Sequence, residues 1–280
     1  MSAREFFAQV LRHLVLIVVS AGFAVAGTRD PNTPNEKYVE FGKQFPSVLR
    51  IRANIIDPES KYPYQYGSAV AIRPHWLLTA AHVLAGAETP VAIKDGDKKF
   101  ALGPVFVHKD FEEETVGFHD IALLYSPEDF ELKFYTPLYT DKDEVGKAVT
   151  IAGYGFYGTF HTGGKQIDSN KRAGHNKIDS SERAVLLCSP SVTNRMPLEF
   201  MIASGDSGGG LFIGNELAGI NSFLMAVDKT PDGSYGDEAA FTRVSLYADW
   251  VESQIAAHEL KIAGKGTLAS DLDLISPPEE

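Results

Sequence analysis

The sequence predicts an all-β protein, and three observations support that prediction. Short segments of apolar or alternating residues recur along the chain, such as 48–55 and 76–79, and strands of a half-buried sheet show this pattern. Turn residues separate the segments, since the 280 residues include 25 glycines and 15 prolines. The one convincing amphipathic helix covers residues 247–260, where Trp250 and Ile255 lie on one face.

The predicted strands follow one another closely. Residues 48–55 alternate apolar and polar side chains, and residues 66–72 and 76–79 form a predicted hairpin with 73–75 as its turn. The remaining predicted strands lie at residues 91–93, 100–102, 104–107, 121–124, 149–155, 184–188, 211–213, 217–223 and 239–244. Residues 156–183 show no periodicity, which predicts a long exposed loop.

Length and charge limit the classes of function. A chain of 280 residues suffices for one large domain or two small ones with a sizeable core. The formal net charge of −11 argues against nucleic acid or an anionic membrane as the main partner, because both require clustered lysine and arginine. The single cysteine, Cys188, excludes an intramolecular disulfide, and we expect it to be a buried apolar thiol.

The N-terminus has the pattern of a secretory signal peptide. Arg4 and Arg12 precede an apolar run at residues 14–25, and Ala24-Val25-Ala26 offers the small residues of a cleavage site. The pattern predicts removal of residues 1–26 and a secreted or periplasmic protein. The alternative is an uncleaved membrane anchor, but about a dozen apolar residues are short for a span. We therefore expect no stable membrane span after cleavage.

The rest of the chain divides into a leader, a domain and a tail. Residues 27–37 are polar and rich in turn residues, which predicts a flexible leader. Residues 38–260 contain all the predicted strands and the helix at 247–260, so they form one folded domain. Residues 261–280 predict a disordered tail.

A glycine-rich turn at residues 204–210 is the first candidate for chemistry. Its sequence is Ser-Gly-Asp-Ser-Gly-Gly-Gly, and glycine allows a tight turn and close approach of a substrate to the backbone. A serine held there can act as a nucleophile, with the amides of Gly205 and Ser207 directed at one point as an oxyanion hole. A glycine-rich surface hairpin is the alternative interpretation of this turn alone.

Two upstream residues offer the partners that a serine nucleophile needs. His82 follows small residues at the end of a predicted strand, where it can project into a cleft, although a structural histidine is the alternative. Asp120 directly precedes an apolar strand, where a buried carboxylate requires donors such as an imidazole N–H, although a capping role is the alternative. The order His82, Asp120, Ser207 does not fit an α/β-hydrolase, which places its acid and its histidine after the serine.

These segments resemble the signature segments of the trypsin/chymotrypsin-like serine proteases. The three segments are Thr79-Ala80-Ala81-His82, Asp120-Ile121-Ala122-Leu123-Leu124 and Gly205-Asp206-Ser207-Gly208-Gly209. Further matches are Phe45-Pro46, Gly153-Tyr154-Gly155 and Phe241-Thr242-Arg243-Val244. The resemblance covers roughly residues 38–258.

The resemblance implies two packed antiparallel six-stranded β-barrels, at about residues 38–137 and 138–250, with the active site between them. It also implies an endopeptidase in which Ser207 attacks the scissile carbonyl, His82 transfers the proton and Asp120 orients the imidazole. We accordingly expect protein or peptide substrates, no cofactor, no metal, and a monomer.

Three residues are expected to shape the specificity pocket. The residue six before Ser207, which forms the floor of this pocket in the family, is Met201. Methionine carries no charge, so we expect cleavage after a neutral or apolar residue. Leu224 stands where the family usually has glycine and would narrow the pocket, and Ser222 completes the predicted substrate-binding set.

Activation in the family pairs a new amino terminus with the aspartate before the serine, which here is Asp206. The corresponding region, residues 36–42, lacks the Ile-Val-Gly-Gly start of the family. Two alternatives stay open at this point: a cut between Lys37 and Tyr38, or constitutive activity in which another group satisfies Asp206.

The same fold also allows a function other than catalysis. A catalytically silent domain of the same fold that binds a partner protein is the alternative, and the intact triad favours the enzyme. The acidic loop of Asp110, Glu112, Glu113, Glu114 and His119 lacks the ligand spacing of zinc sites. Calcium binding in this loop is the alternative to a solvated run of charge.

Overall fold

Antiparallel strands make up most of the chain, as the short alternating segments predict. The computed structural model describes residues 27–94, 98–112 and 118–272. Residues 1–26 and 273–280, which hold the predicted signal peptide and the end of the predicted tail, lie outside the described residues. The strands form two seven-stranded sheets and one four-stranded sheet. The expected all-β class with two large β-units and a C-terminal helix is confirmed, and each large sheet has seven strands where six were expected.

The first large sheet contains the predicted hairpin at its centre. Its strands are β2 (Val48–Ile55), β3 (Tyr64–Arg73), β4 (Trp76–Thr79), β5 (Ala87–Ile93), β6 (Lys99–Ala101), β7 (Val105–Val107) and β8 (Ala122–Tyr125). They are ordered β6-β5-β2-β3-β4-β8-β7, and every pairing is antiparallel. The C-terminal end of β4 and the start of β8 lie side by side, since Thr79 pairs with Ala122.

The second large sheet is built from the later strands. They are β9 (Ala148–Gly153), β12 (Arg172–Lys177), β13 (Ser180–Glu182), β14 (Val185–Cys188), β16 (Gly210–Ile213), β17 (Glu216–Ala226) and β18 (Asp237–Arg243). Their order is β12-β9-β16-β17-β18-β14-β13. A turn at Gly214 joins β16 to β17 with a positive φ of 60°, a conformation that glycine adopts without strain.

A small third sheet departs from the sequence prediction. It joins β1 (Thr28–Arg29), β10 (Tyr157–Thr159), β11 (Gly163–Gln166) and β15 (Phe200–Met201) in the order β11-β10-β1-β15. Residues 27–37 were expected to be a flexible leader and 156–183 a loop, yet both contribute strands. Strands of two to four residues are too short to show a periodicity, so pairing rather than pattern determines them.

Two α-helices flank the strands in sequence. The first, α1 (Asn35–Gly42), was not predicted and brings Phe41 to a ring distance of 4.8 Å from His175. The second, α2 (Ala248–Leu272), begins as expected but continues past residue 260 into the predicted disordered tail. Alanine, leucine and lysine in that extension favour a helix, and its two glycines cost only about 1 kcal/mol each. Among the described residues, no helix is long and apolar enough to cross a membrane.

Candidate active site

His82 lies in a single 3₁₀ turn (Ala81–Val83) that directly follows β4. The small residues before it are buried, as Thr79 and Ala80 show no exposed surface. The His82 side chain keeps 23% of its surface exposed. The alanines therefore leave space for the imidazole at the end of the strand, as the sequence predicts.

Asp120 is fully buried just before β8 and contacts His82 at two points. Its Oδ2 lies 2.7 Å from Nδ1 of His82, and its Oδ1 accepts a hydrogen bond from the backbone amide of His82 at 2.9 Å. The hydroxyl of Ser222 also donates to Oδ2, and the hydroxyl of Thr242 donates to the backbone carbonyl of Asp120 at 2.9 Å. Ser222 and Thr242 belong to β17 and β18 of the second large sheet. Residues of the second sheet therefore hold Asp120, which precedes a strand of the first sheet.

The electrostatics of this pair keep the carboxyl charged. Burial by itself raises the pKa of Asp120, but the charge of His82 and the hydrogen bonds from His82 and Ser222 outweigh burial and hold that pKa below its usual value. A carboxylate only accepts hydrogen bonds, so the network assigns the ring proton of neutral His82 to Nδ1. Nε2 is then the basic nitrogen of the ring.

Ser207 lies in the glycine-rich turn between β15 and β16. Gly205 and Gly208 on either side take positive φ angles of 86° and 82°, which explains the glycines in this turn. The carbonyl of Ser207 accepts a hydrogen bond from the amide of Ser68 at 2.8 Å. A side chain at Gly208 would overlap the hydroxyl of Thr79. The turn therefore rests against the end of β4, three residues before His82.

The amides of this turn fall into two groups. Those of Asp206, Gly208 and Gly209 donate to the carbonyls of Ala203, Asn221 and Asp206 respectively. Within the described part of the chain, the amides of Gly205 and Ser207 donate to no protein acceptor. These are the two amides that the sequence analysis assigned to an oxyanion hole, and they are available to a ligand.

Asp206 is fully buried and accepts hydrogen bonds from three backbone amides. Gly27 N lies 2.5 Å and Ala203 N 3.0 Å from its Oδ2, and Gly155 N lies 2.9 Å from its Oδ1. Burial raises the pKa of this carboxyl to about 7, although the three amides act to lower it. A cut between Lys37 and Tyr38 would make Tyr38 the new amino terminus. Tyr38 instead lies buried within α1, and its hydroxyl donates a hydrogen bond to the carbonyl of Glu199. Gly27, and not Tyr38, is thus one of the three amide partners of Asp206.

Two of the three predicted specificity residues lie in the same surroundings. Met201 is completely buried, and it belongs with Leu224 to one apolar core cluster. Ser222 is also buried, and its hydroxyl is used on Asp120. This supporting role of Ser222 has no local signal in the sequence, which predicts Ser222 only as a substrate-binding residue.

A groove of about 540 Å³ is lined by residues of the first large sheet together with Tyr154, Ile167 and Ser169. Its lining includes Arg50, Arg52 and Lys99, together with Tyr66. Arg50 pairs in register with Ser68, whose amide bonds the Ser207 carbonyl. On a chain whose net charge is −11, this groove is locally basic, and none of its described lining residues is acidic.

The loop before Asp120 contains the described part of the acidic run. His108, Asp110 and His119 place their ligand atoms within 4.8 Å of one another. The two imidazoles stack with ring planes only 8° apart, and Asp110 accepts hydrogen bonds from Lys109 at 2.7 and 2.9 Å. Because the ring planes are nearly parallel, the in-plane lone pairs of the two imidazoles lie in two separate planes. Residues 113–117 of this loop lie outside the described residues.

Comparisons with known proteins agree with this architecture. The family model named Trypsin matches residues 56–251. An uncharacterized peptidase of Corynebacterium glutamicum (strain R) is 26% identical over 197 residues, which cover 69% of this chain and 65% of that relative. Chymotrypsin-like elastase family member 3B of Homo sapiens is 23% identical over 280 residues, which cover 89% of this chain and 99% of that protein.

Two solved structures show the same fold at low identity. Neuropsin, a serine protease expressed in the limbic system of mouse brain, has a TM-score of 0.59 at 17% identity and covers 75% of this chain and 95% of its own. HL collagenase has a TM-score of 0.60 at 18% identity and covers 76% of this chain and 94% of its own. Because the family model spans well over half of the sequence, the chain belongs to the trypsin family of serine proteases.

Proposed function

We propose that this protein is an exported serine endopeptidase that hydrolyses peptide bonds through an acyl-enzyme. The observation that carries the proposal is the double contact between Asp120 and His82 beside the turn of Ser207. A buried carboxylate, an imidazole that contacts it through Nδ1, and a serine in a glycine-rich turn are the groups that acyl transfer requires.

The proposed mechanism follows from these positions. Ser207 Oγ attacks the scissile carbonyl while Nε2 of His82 takes its proton, and the negative charge that develops on the carbonyl oxygen is bound by the amides of Gly205 and Ser207. The tetrahedral intermediate expels the amine, which receives the proton from His82. Water then attacks the ester by the same route and releases the acid and free Ser207. Asp120 keeps Nδ1 protonated and stabilises the imidazolium in both steps.

Substrate preference is the finer part of the proposal. Met201 offers no charge to a basic side chain, and Leu224 lies in the same apolar cluster, which supports cleavage after neutral or apolar residues. A peptide panel that varies only the residue before the scissile bond tests this. We expect leucine, methionine or alanine there, and efficient cleavage after arginine would refute the preference.

Export is supported by the sequence pattern of residues 1–26. Fractionation of cells that produce the full chain tests it, with mass spectrometry of the N-terminus of the exported protein. We expect Gly27 as the first residue in the periplasm or medium. A membrane-bound chain that keeps residues 1–26 would contradict export.

Peptide hydrolysis by matched variants tests the enzyme. We expect Ser207→Ala and His82→Ala each to lower kcat by several powers of ten, because the triad acts as a unit. Ser126→Ala and His161→Ala serve as controls: the Ser126 hydroxyl bonds the Glu128 carbonyl, and His161 is exposed beside Tyr235. Equal activity in all four variants would overturn the proposal.

A further inference from the structure

One face of the first large sheet carries a row of side chains that begins beside the turn of Ser207. Lys99 pairs with Ile93, and Ile93 pairs in turn with Arg50. Arg50 pairs with Ser68. Residues that pair directly across antiparallel strands point to the same face of the sheet. The row therefore crosses β3, β2, β5 and β6 in the order Ser68, Arg50, Ile93, Lys99.

Ser68 connects this row to the turn of Ser207. Its amide donates to the carbonyl of Ser207 at 2.8 Å, and its hydroxyl donates to the carbonyl of Gly205 at 3.4 Å. The same hydroxyl oxygen accepts a hydrogen bond from the amide of Tyr154 at 3.0 Å. Arg50 thus lies one strand spacing, about 5 Å, from a residue that contacts the turn.

The alternation of the strands fixes the face on which the cations lie. Ile51, Ala92 and Phe100 pair across the same strands one residue away from the row, and all three are completely buried. Arg50 and Arg52 are half-buried on the opposite face, and Lys99 is exposed there. A shift of one residue would place the cations in the core, so the row is held at the surface by the packing beneath it.

The groove along this row offers a carboxylate only positive partners. Its described lining residues include Arg50, Arg52 and Lys99 but no aspartate or glutamate. Asp168, which is next to the groove in sequence, binds Arg172 with both of its oxygens at 2.9 and 2.6 Å. An acidic side chain that enters the groove therefore meets no like charge among the described lining residues.

Arg52 keeps hydrogen-bonding capacity for a ligand. Its Nε is buried and has no hydrogen-bond partner among the described residues. The centre of its guanidinium lies 4.4 Å from the ring centre of Tyr64, and that of Arg50 lies 6.0 Å from the ring centre of Tyr66. Such cation–π contacts orient a guanidinium without neutralising its charge. Its N–H groups match the two oxygens of a carboxylate.

The spacing of the row sets the length of the segment that fits it. Arg50 and Lys99 are two strand spacings apart, about 10 Å, and an extended peptide advances about 3.3 Å per residue. A segment that crosses the strands therefore covers this interval in about three residues. The net charge of −11 disfavours a long polyanion such as nucleic acid, so a short acidic stretch of protein is the ligand that fits both the local and the overall charge.

We propose that this row recognises an acidic segment of the protein substrate. One aspartate or glutamate side chain binds Arg50 and Arg52, and a second, about three residues farther from the scissile bond, binds Lys99. The row selects substrates by charges away from the bond that is cut, independently of the side chain that precedes that bond. The inference rests on the proposed peptidase function, because the segment belongs to a substrate held at Ser207.

Peptide binding to the inactive variant Ser207→Ala tests the row without catalysis. Two series of fluorescent peptides, one for each side of the scissile bond, carry a first glutamate two or three residues from that bond. A second glutamate is placed one to five residues farther, and glutamine fills the other positions. On one side we expect Kd to fall about fivefold for the first glutamate, and about fivefold again for the second at a spacing of two to four residues. Fluorescence anisotropy at low salt measures both.

Charge reversals assign the two glutamates to their partners. We expect Lys99→Glu to abolish the gain from the second glutamate and to retain the gain from the first. Arg50→Glu should make the peptide with lysine at the first position bind more tightly than the peptide with glutamate. Lys177→Glu changes the net charge equally at the exposed C-terminal end of β12, and it should retain both gains. If Arg50→Glu does not fold, Lys99→Glu still decides, because Lys99 is exposed.

The outcomes separate this inference from the proposed function. Equal affinity for glutamate and glutamine peptides would overturn the inference, and so would a gain that is independent of spacing or lost equally in Lys177→Glu. Fluorophosphonate labelling of Ser207 in the unsubstituted protein reports the peptidase separately. Labelling without any effect of glutamate leaves the peptidase intact and overturns the inference. Absence of labelling overturns the proposed function, and the peptide series then still decides whether the row binds acidic segments.

Discussion

Asp120 holds His82 by both of its carboxylate oxygens, one on the ring nitrogen Nδ1 at 2.7 Å and one on the backbone amide at 2.9 Å. The second contact fixes the position of the residue, and the first fixes the orientation and the tautomer of its ring. The acid therefore acts on the proposed base as a positioning group as well as a negative charge.

Asp120→Asn tests this double role. An asparagine side chain can present its NH₂ group to Nδ1, which would move the ring proton to Nε2 and remove the base. We expect kcat to fall by about 10⁴-fold, the size of effect known for the equivalent change in this mechanism, with little change in KM. Steady-state kinetics on a peptide substrate measures both. A loss of less than tenfold would contradict the assigned tautomer.

Ser222→Ala removes one of the donors to Asp120. A hydrogen bond to a charged group contributes about 1.5–3 kcal/mol, which corresponds to about 10- to 100-fold in kcat/KM if the contact supports the transition state. Ser126→Ala removes a buried hydroxyl elsewhere and serves as the control, with activity unchanged. Equal kcat/KM in the two variants would show that Ser222 does not support the acid.

Cys188 is the single cysteine and is completely buried in β14, as its apolar setting predicts. Burial raises the pKa of this thiol well above its usual value, so the reactive thiolate is scarce. We expect no reaction with a water-soluble disulfide reagent in the native state and one thiol per chain after denaturation. Rapid reaction of the native protein would contradict the observed burial.

Asp206 makes the free energy of unfolding of the folded chain depend on pH. The folded state raises the pKa of this carboxyl to about 7, against an unfolded value of about 3.9. The folded chain thus binds the proton more tightly, and its free energy of unfolding falls as the pH rises between these values, by an amount on the order of 4 kcal/mol.

Urea unfolding at pH 5 and pH 8 of a chain that starts at Ala26 measures this effect, and we expect the protein to be less stable at pH 8. Asp206→Asn in the same chain is the control and should lose the pH dependence. Equal stability of the unsubstituted chain at the two pH values would contradict the raised pKa of Asp206.

The basic groove predicts a preference for acidic substrates. Arg50, Arg52 and Lys99 line it, and exposed ion pairs contribute up to about 1 kcal/mol each. Arg50 pairs across the strands with Ser68, whose amide donates to the carbonyl of Ser207. Between peptides that differ only in Glu against Lys near the scissile bond, we expect about fivefold faster cleavage of the acidic one. Combined Arg50→Gln and Arg52→Gln should reduce this ratio and Lys43→Gln should not. If the ratio of the two cleavage rates does not change with salt concentration, the charges of the groove do not set this preference.

Many strand segments and the contact between His82 and Asp120 could be predicted from sequence because each rests on local chemistry. Residues 48–55 alternate and form β2, and a glycine-rich turn around Ser207 can adopt few conformations. The distinctive contexts of His82 and Asp120 come from small and apolar neighbours in sequence, and the structure places these two residues in direct contact.

Other features depend on contacts between distant residues, and the sequence carries no local signal for them. Thr28 and Arg29 form a strand because β10 and β15 lie on either side, which a polar, turn-rich segment does not suggest. The hydroxyl of Ser222 reaches Asp120 across 102 residues of sequence. The contact between the Gly27 amide and Asp206 joins residues that are 179 positions apart, and the sequence around Gly27 does not indicate it.

The most direct test of the central claim is labelling of the protein that starts at Gly27 with a tagged fluorophosphonate, followed by peptide mass spectrometry. This reagent reports an assembled serine nucleophile and needs no cognate substrate. We predict one label per chain, located on Ser207 and absent in Ser207→Ala and His82→Ala. An unlabelled chain, or a label that persists in Ser207→Ala, would contradict the account and favour a silent domain that binds a partner protein.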